Sequence, residues 1–186
     1  IGITGPALPL WEEEKMHWLP EEFYWLISCT AWGDFQDGQE VRSAAGMNMA
    51  FREEAFHITG GLPKGSGFHM PIAEDLAFSL EIKKRTAKRI LYSKEAYVWH
   101  RVHSYRFTWS YIATRSRHIG TSRYVLRSRY RTVMDRETKL LWRMIRNFPK
   151  KSGAVHGHSF KLFELELFVG VNLIMGYVSA MLMRRY

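Results

Sequence analysis

"VRSAAGMNMAFREEAF", residues 41–56, changes its period partway along. Val41, Ser43, Ala45, Met47, Met49 and Phe51 alternate with Arg42, Ala44, Gly46, Asn48, Ala50 and Arg52. That two-residue period predicts a strand over 41–51. Gly46 lies inside it, where a missing side chain lets another group come close to the backbone. "REEAF" then reads as a short helix that stops at Gly60 and Gly61. Strand followed directly by helix points to an α/β chain.

Downstream, "GGLPKGSGFHMP" (60–71) is a glycine-rich loop. It reads either as a substrate-gating loop or as an ordinary connection. "MPIAEDLAFSLEIKKR" (70–85) follows, with a helix predicted over 74–86 and Glu74 and Asp75 in its first turn. Two adjacent acids there have two readings. They cap the helix, accepting N–H bonds at the positive end of its dipole, or they include a catalytic base. "RILYSKEAYVWHRV" (89–102) returns to strand. Ala96, Val98, His100 and Val102 share one face, and Tyr97, Trp99 and Arg101 the other. "TWSYIATRSRHIGTSRYVLRSRYR" (108–131) reads as basic helical segments broken near Gly120, and "NFPKKSGAVHGHS" (147–159) as a linker. His156 and His158, two apart, are poorly spaced for one metal on a helix. Upstream, residues 1–40 read as irregular. "GITGPALPLWEEE" (2–14) offers a short strand leading to a loop, and "LPEEFYWLISCTAWG" (19–33) a short helix or a passage from helix to strand. Asp34 and Asp37 stand in a turn-like stretch and read as turn formers rather than metal ligands.

Composition narrows the partners. The 186 residues suffice for a real core, and 46% hydrophobic with 15% aromatic content excludes a disordered chain. One cysteine, Cys29, excludes an internal disulfide and a cysteine zinc cage; it reads as a small buried residue. The formal charge is +9. Arginine and lysine crowd residues 101–151, where only Asp135 and Glu137 oppose them. Such a block suits an anionic membrane surface, a phosphorylated ligand or nucleic acid, or is a solvated helix face. The aromatics of 97–111 follow no stacking motif of nucleic-acid binders, so nucleic acid is not the expected partner. The chain begins at Ile1 without a signal-peptide pattern, and is expected to be the later part of a longer product.

Taken in order, "GMNMAFR", a Gly-Gly turn, a glycine-rich loop, "ED" opening a helix, "YSKEAYVWHRV" on a strand and a basic aromatic run ending in "GTSR" resemble the second half of a family 2 inverting glycosyltransferase of GT-A fold. The resemblance covers roughly residues 1–125 and is nearest to membrane-associated enzymes that use polyprenyl- or dolichyl-phosphate carriers. It implies an incomplete GT-A-like mixed sheet with flanking helices over 1–125, a basic helical segment and linker over 126–160, and a hydrophobic membrane-associated helix over 161–186. It implies Asp75 as the base that deprotonates the acceptor hydroxyl, with Glu74 supporting it or orienting the acceptor. Gly46 and Asn48 would line the donor-sugar pocket, and Gly60 and Gly61 would belong to the donor and acceptor surface. His100 would complete a site for Mg2+ or Mn2+, where the residues alone favour a hydrogen-bonded core histidine. Arg101 and His103 would contact the leaving diphosphate. The implied partners are a nucleotide-sugar, a lipid-linked or glycan acceptor and an anionic membrane on its cytoplasmic face. The sequence holds no Asp-x-Asp, the family's metal motif. Most of the donor site and metal ligands are therefore expected upstream, and the chain alone is expected to be inactive. A non-catalytic membrane-surface or interaction module derived from the same fold is the first alternative, and a basic nucleic-acid-binding protein the second.

"LFELELFVGVNLIMGYVSAMLM" (162–183) is the longest apolar stretch. As a helix it would be about 33 Å long, enough to cross a bilayer. Glu164 and Glu166 leave only 17 uncharged residues, and Gly176 and Ala180 have small-xxx-small spacing. Basic residues flank both ends, which favours an interfacial or re-entrant helix over a full span, with a helix packed on a soluble domain as the third reading.

Overall fold

The computed structural model describes residues 1–14, 19–30, 35–62, 73–130 and 158–183. The chain divides into two compact units, Ile1–Ile112 and Ala113–Tyr186.

The first unit is mixed α/β. Its strands are β1 (Gly2–Thr4), β2 (Ala7–Trp11), β3 (Met49–Phe51), β4 (Ile90–Tyr92) and β5 (Val98–Val102). Helix α1 (Glu53–Thr59) follows β3, and α2 (Glu74–Arg85) precedes β4. β1 is central in one sheet, antiparallel to β3 and parallel to β4. β2 and β5 form a parallel pair with Ala7 opposite Val98 and Trp11 opposite Val102. Both pairs thus turn from one sheet to the other side by side. Gly5 makes this possible, because a Cβ there would stand 2.0 Å from the Ala96 carbonyl oxygen. The short strand read in 2–14 is present, but the stretch holds two strands, β1 and β2, where one leading to a loop was expected.

Two clusters merge into one core. Val41, Ala44, Ile90 and Tyr92 are buried together, and so are Ala55, Phe78 and Ile82; Ile1 and Phe51 pack against both. Phe78 is sealed between Phe51 (ring centroids 4.9 Å apart) and Phe56 (5.0 Å). Burying each such side chain contributes about 1.5–3 kcal/mol. A 3-10 helix, Glu21–Ile27, adds buried Phe23, Leu26 and Ile27.

Two expected strands are shorter than read. In 41–51 only Met49–Phe51 is strand, because the N–H groups of 44–46 bond to side chains instead of a ladder. The stretch 89–102 splits into β4 and β5 around a turn, where Asp37 accepts the Lys94 N–H at 2.8 Å. α1 ends as expected, with Gly60 and Gly61 left-handed (φ 78° and 99°) and both N–H groups on the Phe56 carbonyl.

Helix α3 (Trp109–Arg129) starts at the end of the first unit and is continuous through Gly120, where a break was expected; residue 125 lies within it. In the second unit it packs on α4 (His158–Met183). The basic run 131–151, Asp34, His156 and loop residues 63–71 lie outside the described residues.

Candidate active site

The stretch before β3 is stitched down by side chains from two elements, α2 and β1. Ala44 N–H donates to the Ser79 hydroxyl (3.1 Å), Ala45 N–H to the Thr4 hydroxyl (3.2 Å) and Gly46 N–H to Asp75 Oδ2 (2.8 Å). Three successive amides are fixed by α2, β1 and α2 again. Ser79 in turn donates to the Asp75 carbonyl (2.8 Å) and Thr4 to the Asn48 carbonyl (2.6 Å). The outcome is a rigid loop whose backbone holds one carboxylate. A Cβ on Gly46 would approach Asp75 Oδ2 to 3.2 Å, so glycine admits the contact.

Asp75 is half-buried at the second position of α2; its other oxygen, Oδ1, accepts the Leu76 N–H at 2.7 Å. The carboxylate retains acceptor capacity beyond these two bonds, since an ionised carboxylate offers about four lone-pair sites. Glu74 is exposed beside it at the helix start. Ala73, just before, has φ 20°, an uncommon value for a residue with a side chain. The acid pair thus sits on the first turn of α2, as the sequence predicts, but the longer-range hydrogen bond on Asp75 comes from another segment.

Asn48 lies two residues beyond Gly46 and works as a tie. Its amide donates to the Pro6 carbonyl (3.0 Å) and the Ala96 carbonyl (2.6 Å), pinning the two turns that join the strand pairs. The structure therefore brings Gly46, Asn48 and Asp75 into one neighbourhood. Gly60 and Gly61 form the end of α1.

His100 is half-buried on β5, opposite Pro9. Arg106 Nη1 is 3.0 Å from its Nε2, and also donates to the Ile27 carbonyl at 2.6 Å. A guanidinium has no acceptor, so Nε2 must accept and the proton of the neutral ring lies on Nδ1. Burial foremost, then the Arg106 and His103 charges, hold the His100 pKa below its ordinary value. Among the described residues no three His, Cys, Asp or Glu side chains gather into a cation site. His100 would need to exchange Arg106 for a metal, so these residues do not by themselves fit a divalent cation.

Arg101 and His103 converge on Glu12, which the sequence reading passed over. Arg101 Nε (3.0 Å), Arg101 Nη2 (2.9 Å) and His103 Nδ1 (2.8 Å) all meet Glu12 Oε1, while Ser104 N–H donates to Oε2 at 2.9 Å. The Ser104 amide first, then His103 and Arg101, hold the Glu12 carboxyl below its usual pKa. Arg106 was also missed; its Nε is buried without a hydrogen-bond partner among the described residues. The only sequence signal for either residue was an acid or a base amid aromatics.

No known protein-family pattern matches the chain, and no solved structure does. Over 139 residues the chain is 30% identical to a glucosyl-dolichyl phosphate glucuronosyltransferase of Haloferax volcanii. That similarity takes in 73% of the chain and 44% of the relative, so the chain spans less than half the length of the protein it resembles.

Proposed function

We propose that the chain carries the acceptor side and the general base of an inverting glycosyltransferase of family 2 and GT-A type, which moves a sugar from a nucleotide-sugar to a lipid-linked or glycan acceptor at the cytoplasmic face of a membrane. The observation that carries this reading is the 2.8 Å bond from Gly46 N–H to Asp75. It joins the "GMNMAFR" and "ED" stretches, far apart in sequence, into one preorganised carboxylate. The similarity to an enzyme named for a dolichyl-phosphate substrate supports the same class.

In the proposed step Asp75 takes the proton as the acceptor O–H bond breaks. The acceptor oxygen forms a bond to the anomeric carbon from the face opposite the leaving group, and the bond to the nucleotide diphosphate breaks with its electron pair going to the diphosphate. Glu74, exposed one residue away, orients the acceptor. Gly46 and Asn48 shape the donor-sugar side, with Gly60 and Gly61 at the end of α1. Arg101 and His103 are the proposed diphosphate contacts, for which they would leave Glu12. A divalent cation, Mg2+ or Mn2+, would neutralise charge on the leaving diphosphate; His100 reaches one only by releasing Arg106.

The test is transfer of labelled sugar from a nucleotide-sugar to a glycosylated polyprenyl or dolichyl phosphate, whose sugar hydroxyl is the group deprotonated. Asp75→Asn keeps one acceptor oxygen but turns an NH2 toward a backbone N–H, so it is expected to cost about 1–3 kcal/mol of stability. Turnover of the folded variant is expected to fall by roughly 10²–10⁴-fold. Asp75→Ala should recover part of that rate with added formate, which replaces a base but not a helix cap. Glu74→Gln should act mainly on acceptor affinity. Near-normal turnover of Asp75→Asn would leave Asp75 as a cap only.

A further inference from the structure

The second unit contains a helix with two unlike faces. On one face of α4, Leu165, Val169, Asn172, Gly176 and Ala180 are buried. Their spacing of three and four residues makes a single stripe. On the opposite face Leu167, Val171, Ile174, Met175, Val178 and Leu182 are exposed, Ile174 to 64%. An exposed apolar stripe of this length exceeds what a soluble surface ordinarily carries. It runs from Leu167 to Met183 with no charge, about 25 Å of helix, which is short of a bilayer's roughly 30 Å hydrocarbon core.

The buried face is not fit for lipid at depth. At its middle, α3 approaches so closely that a Cβ on Gly120 would lie 2.1 Å from the Leu173 carbonyl oxygen, and one on Gly176 2.1 Å from that of Arg117. Arg117 Nε donates to Asn172 Oδ1 (2.8 Å), Thr121 to the Gly176 carbonyl (3.1 Å) and Arg127 Nη1 to the Tyr177 hydroxyl (2.7 Å). Were α4 to span, these arginines would sit near the bilayer centre, where charge is expensive. With α4 lying flat, the same groups fall at headgroup level. α3 carries Arg115, Arg117, Arg123, Arg127 and Arg129 and no acid, which complements anionic headgroups.

We infer that α4 lies in the plane of a single leaflet, its Leu167–Leu182 stripe in the acyl region and α3 on its water side among anionic headgroups. This deepens the membrane part of the proposed function and is independent of the role of Asp75. The occupant of the exposed face is a lipid bilayer rather than a second protein.

The experiment places one nitroxide label at a time at Leu167, Val171, Ile174, Val178, Leu182 and Ser179 of the whole chain, bound to vesicles of mixed phosphatidylcholine and phosphatidylglycerol. Cys29 is fully buried and its thiol is pushed up to about 12, so labelling goes to the introduced cysteine. Depth is read from the ratio of oxygen to nickel-chelate relaxation. An in-plane helix gives similar depth at Leu167, Val171, Ile174, Val178 and Leu182 and a much shallower Ser179. A profile deepest near Ile174, shallow at Leu167 and Leu182, with Val178 and Ser179 alike, means a span and overturns the inference. So does an absence of any depth signal on these vesicles. Sugar transfer is not part of the readout, so failure here leaves the proposed reaction standing.

Discussion

Gly46 and Asp75 form a contact in which the carboxylate is placed by a backbone amide, and a side chain beside that amide would crowd it. In Gly46→Ala the new Cβ stands 3.2 Å from Oδ2, so either the loop or the carboxylate moves by a few tenths of an ångström. Gly46 is not among the left-handed glycines, so the backbone itself accepts alanine. Stability is therefore expected to change by less than about 1 kcal/mol. Turnover should fall by roughly tenfold or more, since misplacing a reacting group by 1 Å costs up to 10²-fold. Thermal unfolding and the transfer assay on one preparation check this; equal losses in both would mean that the contact serves folding alone. His100 supplies a pH signature. Its folded pKa lies below its unfolded value of about 6.5. Between those values the unfolded chain binds more protons, so stability rises with pH and its contribution is lost as pH falls through the folded pKa. Arg106→Met should move the His100 titration, followed by ring-proton NMR, back toward 6.5 without reaching it, because burial is the larger cause and remains. An unmoved titration would show that Arg106 does not set the state of the ring.

Gly120 and Gly176 decide how α3 and α4 meet. Glycine within a helix costs about 1 kcal/mol relative to alanine, which is why Gly120 reads as a break. The structure offsets that cost by close backbone approach, information that resides in the partner helix, distant in sequence. Gly120→Ala and Gly176→Ala each drive a Cβ into a backbone carbonyl, so each should destabilise the pair by about 1–3 kcal/mol despite better helix propensity. Hydrogen exchange of α3 amides is the measurement; slower exchange in either variant would contradict the packing. The same contrast of local and distant signals explains what else was legible. α1 with its Gly-Gly stop, α2 starting at Glu74, the two faces of β5 and the C-terminal helix all follow from local period and caps. The pair β1 and β2 follows only in part, as one short strand, since both are short, carry Gly and Pro, and become strands by pairing with the distant β3, β4 and β5. The alternation of 41–51 was misleading because Thr4, Ser79 and Asp75 claim the amides that a ladder would use. Of the candidate site, the acid pair was readable from helix-start chemistry and Gly46 from its place in the pattern. Glu12 and Arg106 were not, since their hydrogen bonds reach distant segments, Glu12 to His103 and Ser104 and Arg106 to the Ile27 carbonyl.

Charge and hydrophobicity are segregated along the whole chain, and that separation bears on where it works. The net +9 is concentrated beyond residue 100, in the part that also holds the exposed apolar stripe of α4. Adsorption to a bilayer then has two additive sources, apolar burial and attraction of arginines to anionic lipid, each about 1 kcal/mol per basic residue for the second. Two variants separate them from a folding defect. Removing residues 160–186 should release the protein from membranes in a flotation assay, but it also exposes the buried face of α3. Ile174→Glu is cleaner, because Ile174 is 64% exposed and its replacement leaves the packed face untouched. Losing one buried isoleucine removes about 1.5–3 kcal/mol, or roughly 10–100-fold in vesicle partitioning. Raising salt from low to about 1 M shortens the screening length to about 3 Å, and should weaken binding of both the wild type and Ile174→Glu. If truncated protein floats with membranes as before, the attachment lies outside α4. If Ile174→Glu partitions like the wild type while salt alone releases both, attachment is electrostatic and the apolar stripe has another use.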